Sequence, residues 1–308
     1  MNVLSLFDGV SCARIALDKL DIPVDNYFAS EIDKYAINVS KKNYEDIIHI
    51  GDISQVKVDD LPKIDLLIGG SPCQDLSNAQ KGLGLEGAKS GLFYEYIRLL
   101  KEIKPTYFLL ENVKNKWGDL MSEYVGVDFI EINSSKLSAQ SRPRYYWTNI
   151  DFSSFPNEKS NLKIKNIIEE NVDEKYFLNK AGLDNFISNT DINNKTSKEG
   201  INKVFEIPKD IYKDNERQRR VYSIESKSPT LLARADTTKI FVKNRIRKLT
   251  PLECERLQGI PDNYTSSESD TQRYKMVGNA FTVDIIQHFL SGLNNLPKRP
   301  KLKKKIAY

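Results

Sequence analysis

The chain contains few of the residues that build disulfide frameworks, zinc sites or cysteine–histidine active sites. Its 308 residues include three cysteines, Cys12, Cys73 and Cys254, and two histidines, His49 and His288. Three widely separated cysteines suit neither a disulfide framework nor a CxxC zinc site, so we expect free thiols and no metal. Neither histidine lies in a pattern typical of a cysteine protease or transferase, which leaves a cysteine–histidine hydrolase unsupported.

Long apolar stretches are also missing, as is a pyrophosphate loop after the first predicted strand. No run approaches the roughly 18 apolar residues of a membrane-spanning helix. The start MNVLSLFDG lacks a basic segment followed by a long apolar one, so we expect a cytoplasmic protein without membrane contact. The turn after the first strand does not read G-x-G-x-x-G, which argues against a nucleotide-dependent oxidoreductase.

Basic residues are concentrated in two segments, although the net charge is only +4. Residues 203–248 hold 13 Lys and Arg against 6 Asp and Glu, interleaved with Tyr212, Tyr222 and Phe241. This mixture suits contacts with nucleic-acid phosphates. The stretch KRPKLKKK at 298–305 holds six basic residues and no acid, and a solvated or disordered tail is its favoured interpretation.

Apolar runs that suit buried strands alternate with segments of helical periodicity through residue 150. The predicted helices are 12–20, 34–43 and 91–103, and the predicted strands are 3–7, 25–30, 47–50, 64–68, 106–111, 129–133 and 145–150. The alternation predicts an α/β fold with a doubly wound, mostly parallel sheet. Asn- and Lys-rich sequence after about residue 151 predicts a second, smaller lobe, followed by helices at 250–259 and 280–293.

Notable polar residues follow the predicted strands at their carboxyl ends, where ligands bind in open α/β sheets. The first five strands are followed or closed by Asp8 with Gly9, Glu31, Asp52, Cys73 and Glu111. A Gly-bearing turn with an acid 22 residues beyond Gly9 is typical of nucleoside binding, in which the carboxylate accepts the ribose hydroxyls. Without a pyrophosphate loop, S-adenosylmethionine is the leading cofactor. Helix capping is about as common a role for such acids.

Cys73 lies in the exit turn GGSPCQDL rather than within the apolar run before it. A thiol in such a turn is placed for chemistry, whereas a structural cysteine would sit in the strand. Its candidate partners are Glu111 in LLENVK and the pair Arg142 and Arg144 in QSRPRYYW. A thiol, a carboxyl and two guanidiniums around a nucleoside cofactor suit covalent activation of an electron-poor ring.

Eight blocks occur in a set order: LSLFDGVSCARIAL, SEID, GDI, GGSPCQDLS, ENV, QSRPR, RKLTPLECERLQGIPDNYT and GNAFTV. In that order they resemble the DNA (cytosine-5) methyltransferases of prokaryotic or phage type. The segments SPCQDLS and LFYEYIRLLK resemble the Dnmt3-like branch of that family. Residues 152–244 lie outside the resemblance. Many members have glycine where this chain has Ser11 and Cys12, and Gly-Phe after the position of Gln74.

The resemblance implies a class I, Rossmann-like fold and methyl transfer from S-adenosylmethionine to C5 of a flipped-out cytosine in double-stranded DNA. It implies that Cys73 attacks C6 of the base and that Glu111 contacts N3 and the amino group. It further implies that Arg142 holds O2 and that Arg144 supports the site. The implied cofactor pocket comprises Phe7, Asp8, Gly9, Glu31, Ile32, Asp52, Ile53, Pro72 and Asn279. The expected DNA contacts are Gln74, Ser77, Arg217, Arg219 and Arg220.

The expected organisation is a monomer with a catalytic and cofactor-binding domain at 1–151 plus 272–297, a target-recognition domain at 152–271 and a basic tail at 298–308. Two alternatives stay open. An RNA cytosine-5 methyltransferase that acts on tRNA would use the same chemistry. A catalytically silent DNA-binding protein would keep the basic lobe but would have no need of the thiol, the carboxyl and the guanidinium.

Overall fold

Strands and helices alternate through the first half of the chain. In this computed structural model, which describes residues 1–72, 91–192, 195–198 and 200–295, the strands are β1 Asn2–Leu6, β2 Asn26–Ser30, β3 Ile47–Gly51, β4 Leu66–Gly70, β5 Tyr107–Val113, β6 Ile130–Asn133 and β7 Pro143–Thr148. The helices between them are α1 Cys12–Lys19, α2 Lys34–Asn43, α3 Gly91–Ile103 and α4 Gly118–Val125. The strands and helices predicted up to residue 150 are all present, with ends displaced by two residues at most.

These strands form one sheet in the order β3-β2-β1-β4-β5-β7-β6. Strands β1 to β5 are parallel, and β7 runs antiparallel to β5 and β6. The predicted doubly wound, mostly parallel sheet is confirmed. The strand order reverses direction between β1 and β4, and such a reversal is the place where open α/β sheets bind ligands.

The central strands are buried on both faces because each alternates its side chains between two hydrophobic layers. Val3 and Ile68 pack in the layer that contains α1 and α9 (Val283–Leu290), whereas Leu4 and Leu67 pack in the layer that contains α3. A side chain that points to one face is followed by one that points to the other. Covered on both faces, these strands appear in the sequence as short continuous apolar runs.

The second half of the chain contributes a smaller sheet with the order β11-β10-β9-β8. Its strands are β8 Lys203–Glu206, β9 Arg220–Ser223, β10 Lys239–Val242 and β11 Arg245–Lys248. The helices of this half are α5 Leu183–Ser188, α6 Glu216–Arg219, α7 Pro251–Leu257, α8 Asp270–Asn279 and α9. One hydrophobic cluster contains both Val3 of the first sheet and Ile240 of the second. The core does not divide at the predicted domain boundaries, which therefore stay a prediction.

The predicted helix over 280–293 begins later than expected. Helix α8 ends at Asn279, Ala280 is extended with φ −63° and ψ 154°, and α9 starts at Val283. The Ala280 carbonyl accepts hydrogen bonds from the side chains of Arg142 and Gln258. Tertiary contacts therefore keep residues 280–282 outside the helix that the apolar spacing of 280–293 predicts. Within the described ranges, none of the helices is long and apolar enough to cross a membrane.

Candidate active site

The turn after β1 contains three residues in the left-handed region of backbone space. Phe7, Gly9 and Ser11 have φ values of 55°, 60° and 61°. Glycine adopts this conformation readily, but for other residues it costs roughly 1–2 kcal/mol. A Cβ added at Gly9 would meet no atom within 4 Å, so the backbone of the turn faces open space. Such strain clusters at ligand sites, where the surrounding structure maintains it.

Asp8 lies beneath this turn and is 5% exposed. Its carboxylate accepts hydrogen bonds from Ser11 Oγ at 2.6 Å and from Tyr27 Oη at 2.7 Å. Burial raises the pKa of Asp8 to about 6, against the hydrogen bonds that lower it. The Asp8 side chain therefore stabilises the turn from its buried side, through hydrogen bonds from two hydroxyl groups.

Glu31 joins the turn after β1 to the turn after β2. One carboxylate oxygen accepts from the Gly9 N–H, and the other accepts from the N–H groups of Ile32 and Asp33, each at 2.8 Å. A carboxylate offers about four lone-pair sites, so Glu31 retains acceptor capacity. Ile32 beside it is 73% exposed. The structure thus places an acid and an exposed apolar side chain together at the carboxyl end of β2.

Asp52 and Ile53 follow β3, whose last residue Gly51 lies beside Ser30 at the end of β2. Asp52 is exposed and caps a short 3-10 turn by accepting from the Ser54 N–H at 2.9 Å. Ile53 is 3% exposed and packs in the core, so its side chain is not available to a ligand. The carboxylates of Glu31 and Asp52 lie at neighbouring strand ends, as predicted.

These groups fit a nucleoside cofactor. An adenosine needs an acceptor for the ribose hydroxyls and an apolar surface for the base, and Glu31 with Ile32 supplies both beside the open backbone of Gly9. Across the described residues, no group of three or more His, Cys, Asp and Glu side chains could hold a metal ion.

Glu111 and Arg144 form an ion pair on the other side of the crevice. Arg144 Nε lies 2.8 Å from Glu111 Oε1, and the two side chains are 11% and 13% exposed. They reach each other because β5 and β7 are antiparallel neighbours in the sheet. A Cβ added at Gly70 would lie 3.0 Å from Glu111 Oε2 and 2.6 Å from Phe281. Glycine at this position therefore leaves room for the carboxylate.

The end of β4 is fastened to β5 directly before the cysteine. Asn112 Nδ2 donates to Ser71 Oγ at 2.9 Å, and both residues are buried. Pro72, a predicted cofactor contact, is half-buried after Ser71. Sequence reasoning did not single out Asn112, although it lies in the block ENV. The predicted nucleophile and two predicted DNA contacts lie outside the described residues: Cys73, Gln74 and Ser77.

Arg142 occupies a different environment from the one predicted for it. Its guanidinium is buried and donates to the backbone carbonyls of Leu231, Gly278 and Ala280 at 3.4, 3.1 and 3.0 Å. These contacts hold it against the C-terminal segment. The arginine that pairs with Glu111 is Arg144, and the contact of either arginine with a base stays a prediction.

A buried amide network surrounds the Arg142 contacts and was missed from the sequence. Gln140 Nε2 donates to Gln258 Oε1 at 3.1 Å, and Thr282 Oγ1 donates to the same oxygen at 3.0 Å. Gln258 Nε2 donates in turn to the Val277 and Ala280 carbonyls. The three side chains come from QSRPR, LECERLQG and GNAFTV, and membership of these blocks was the available signal. The network leaves Asn279 exposed between two anchored residues.

The three predicted DNA-binding arginines differ in how they are held. Arg219 is bound by Glu206 at 2.8 Å and by the Ile207 carbonyl. Arg220 pairs with Glu216 at 2.6 Å. Arg217 is exposed and makes no ion pair with any described residue. Of the three guanidiniums, that of Arg217 is therefore the one without a carboxylate partner among the described residues.

A cavity of about 650 Å³ separates QSRPR from the smaller sheet. Its lining includes Ser141 and Pro143 on one side and Lys203, Arg217 and Arg220 on the other. The cavity therefore places basic side chains opposite the strand that provides Arg144.

A doubly wound sheet with acids at neighbouring strand ends on one side of its crevice and a Glu–Arg pair on the other suits an α/β protein with a ligand site at this edge. Comparison with known proteins defines the class further. The chain belongs to the C-5 cytosine-specific DNA methylase family, whose model matches residues 1–125 and 129–295. It is a DNA (cytosine-5) methyltransferase.

Its relatives include type II methyltransferases. M1.ScrFI of Lactococcus lactis subsp. cremoris is 32% identical over 92% of this chain and 76% of its own length. M.HhaI of Haemophilus parahaemolyticus is 27% identical over 94% of this chain and 92% of its own length. The Entamoeba histolytica methyltransferase EhMeth has the same fold, with a TM-score of 0.70 at 16% identity over 95% of this chain and 97% of its own.

The different partners of the two arginines, buried carbonyls for Arg142 and Glu111 for Arg144, predict different outcomes for Arg142→Met and Arg144→Met. The first should lower the free energy of unfolding by about 3 kcal/mol, because three buried carbonyls lose a charged donor. The second should lower the rate of DNA methylation roughly 100-fold, because a charged contact in the crevice is lost, while the protein stays folded. Urea denaturation and a methylation assay measure the two effects. A stable but inactive Arg142→Met protein would contradict this assignment.

Proposed function

We propose that this methyltransferase uses S-adenosylmethionine and activates a flipped-out cytosine through a covalent bond from Cys73. The observation that carries the proposal is the Arg144–Glu111 pair at 2.8 Å, which lies beside Ser71 at the exit of β4, two residues before the thiol. A planar guanidinium suits a carbonyl oxygen, and a carboxyl suits the neighbouring ring nitrogen and amino group. Together they match one edge of cytosine.

The cofactor is held in this proposal by the turns after β1, β2 and β3. Glu31 accepts the ribose hydroxyls, Ile32 covers the base, and Asp52 and the backbone near Gly9 complete the pocket, with Phe7, Pro72 and Asn279 at its margins. When bound, S-adenosylmethionine supplies an electrophilic methyl group on a sulfonium sulfur.

The residues of the chain make C5 of cytosine nucleophilic. The Cys73 thiolate forms a bond to C6, and the C5–C6 double-bond pair moves onto C5. The carboxyl of Glu111 faces N3 and the amino group, and Arg144 donates to O2, so the charge that develops in the ring is stabilised. After C5 is methylated, its proton leaves to a base, the Sγ–C6 bond breaks, and the double bond and the thiolate are restored.

In this proposal double-stranded DNA lies across the opening of the cavity between QSRPR and the smaller sheet, which is too small to enclose a duplex. The basic residues on its wall, Arg217 first among them, neutralise phosphates, and residues 152–271 act as the target-recognition domain that reads the base sequence. An extruded base is required because C6 and C5 are inaccessible inside a stacked duplex. A tRNA substrate is the second candidate, since the chemistry at the ring would be the same.

Bisulfite sequencing of plasmid DNA from cells that express the protein tests the function directly. Cytosines at a recurring sequence should be protected when the wild type is expressed, and Cys73→Ser should abolish this protection. Cys254→Ser is the matched control, because burial raises the pKa of that thiol far above its ordinary value and keeps it inert. Transfer of methyl groups to tRNA alone, by protein that leaves duplex DNA unmodified, would contradict the proposal.

The salt dependence of DNA binding distinguishes the arginines of the smaller sheet. Arg217→Ala should reduce the log-log salt slope by about 1, as expected for one lost phosphate contact. Arg219→Ala should leave the slope unchanged, because Glu206 and a backbone carbonyl already hold that guanidinium. Fluorescence anisotropy across a salt series measures both slopes. Equal reductions for the two variants would place Arg219 on the DNA as well.

A further inference from the structure

Ser11 adopts a conformation that glycine would adopt at lower cost, and its side chain makes two buried hydrogen bonds. Its φ and ψ are 61° and 40°, it precedes α1, and its hydroxyl does not cap that helix. Instead, Ser11 Oγ contacts Asp8 Oδ2 at 2.6 Å and Ser40 Oγ at 2.7 Å. Ser11 and Ser40 are both 0% exposed. Two buried hydrogen bonds thus offset the backbone strain.

These contacts define a hydrogen-bonded chain with a single direction. Ionised Asp8 can only accept, so Ser11 donates its proton to Asp8 and accepts from Ser40. Ser40 then has no second proton to offer, and its oxygen accepts from His49 Nε2 at 3.4 Å. The order of donation is His49 to Ser40 to Ser11 to Asp8. Its direction requires the Nε2–H tautomer of His49.

The hydrogen-bonded chain joins the turn after β1 to helix α2. Asp8 and Ser11 belong to that turn, whereas Ser40 lies on α2, the helix that follows the turn that contains Glu31. The Gly9 N–H already joins the two turns by donating to Glu31 at 2.8 Å. The buried Ser11–Ser40 contact is a second hydrogen bond between the turn after β1 and the segment that begins with Glu31.

We propose that Ser11 and Ser40 are positioning residues for the methyl donor, because their hydrogen bonds to each other and to Asp8 fix the turn after β1 against helix α2 before binding. This inference rests on the proposed use of S-adenosylmethionine. A turn that is ordered in advance loses less conformational entropy on binding, and that saving appears as affinity.

Ser11→Gly separates this role from a simple need for a left-handed residue. Glycine favours φ 61° and relieves strain, so a purely conformational role predicts unchanged or tighter binding. The positioning role predicts weaker binding, by about tenfold, because a buried hydrogen bond to a charged group is lost. Ser40→Ala should weaken binding as well. The double variant with Ser11→Gly and Ser40→Ala should have about the same affinity as the single variant that binds less tightly, because both residues act through one hydrogen-bonded chain.

Calorimetric titration of the full-length protein with S-adenosylhomocysteine measures these affinities, and thermal melts check that each variant is folded. Ser135→Ala is the matched control, since Ser135 is buried and its hydroxyl makes no hydrogen bond. Affinity for duplex DNA should be unchanged in every variant. If the wild type binds and both serine variants bind equally well, the positioning role is overturned alone. If the wild type does not bind, the proposed cofactor is overturned and the role with it.

A second measurement needs no cofactor and no change at Ser11. Nitrogen-15 NMR of the protein with His288→Gln leaves His49 as the single histidine, and its ring shifts report the tautomer. The chain predicts Nε2–H for His49 near neutral pH, with a shift of the ring signals in Ser40→Ala. The Nδ1–H tautomer, or ring signals that Ser40→Ala leaves unchanged, would overturn the directed chain.

Discussion

The buried guanidinium of Arg142 is the interaction on which the arrangement of the site depends. It draws the backbone at Leu231, Gly278 and Ala280 onto the start of β7. Buried carbonyls need donors, and here one side chain supplies three carbonyls in two segments that are distant in sequence. The close approach leaves no space at Gly278, where a Cβ would lie 2.4 Å from the Leu232 carbonyl oxygen. Asn279 and the smaller sheet are thereby held against the catalytic edge.

The crevice between β1 and β4 then divides the chemistry into two sides. On one side, Glu31 accepts a hydrogen bond from the Gly9 N–H, and the buried contact between Ser11 and Ser40 joins the turn after β1 to α2. On the other side, Glu111 and Arg144 form a pair beside the exit of β4. The parallel strands fix the spacing of these groups because their carboxyl ends meet at one edge. Rigid strands thus carry the recognition groups.

The sequence predicted the first sheet and the position of its polar residues because doubly buried strands are short apolar runs and the acids directly follow them. The family blocks also located the Glu–Arg pair. The roles of Arg142 and Arg144 were not predictable, since two arginines separated by one residue look alike until their tertiary partners are known. The break at Ala280 and the network around Gln258 also arise from tertiary contacts. The strands of the smaller sheet span four residues each and have too little apolar periodicity to detect.

The most direct test of the central claim, covalent activation by Cys73, is a duplex that carries 5-fluorocytosine at the target position. After addition at C6 and methyl transfer, fluorine at C5 cannot leave as a cation, so the Sγ–C6 bond cannot break. The account predicts a complex that resists denaturant, requires S-adenosylmethionine and is lost in Cys73→Ser, because a hydroxyl is a far weaker nucleophile than a thiolate. A complex formed by the serine variant, or a nucleotide mapped to Cys12 or Cys254, would contradict it.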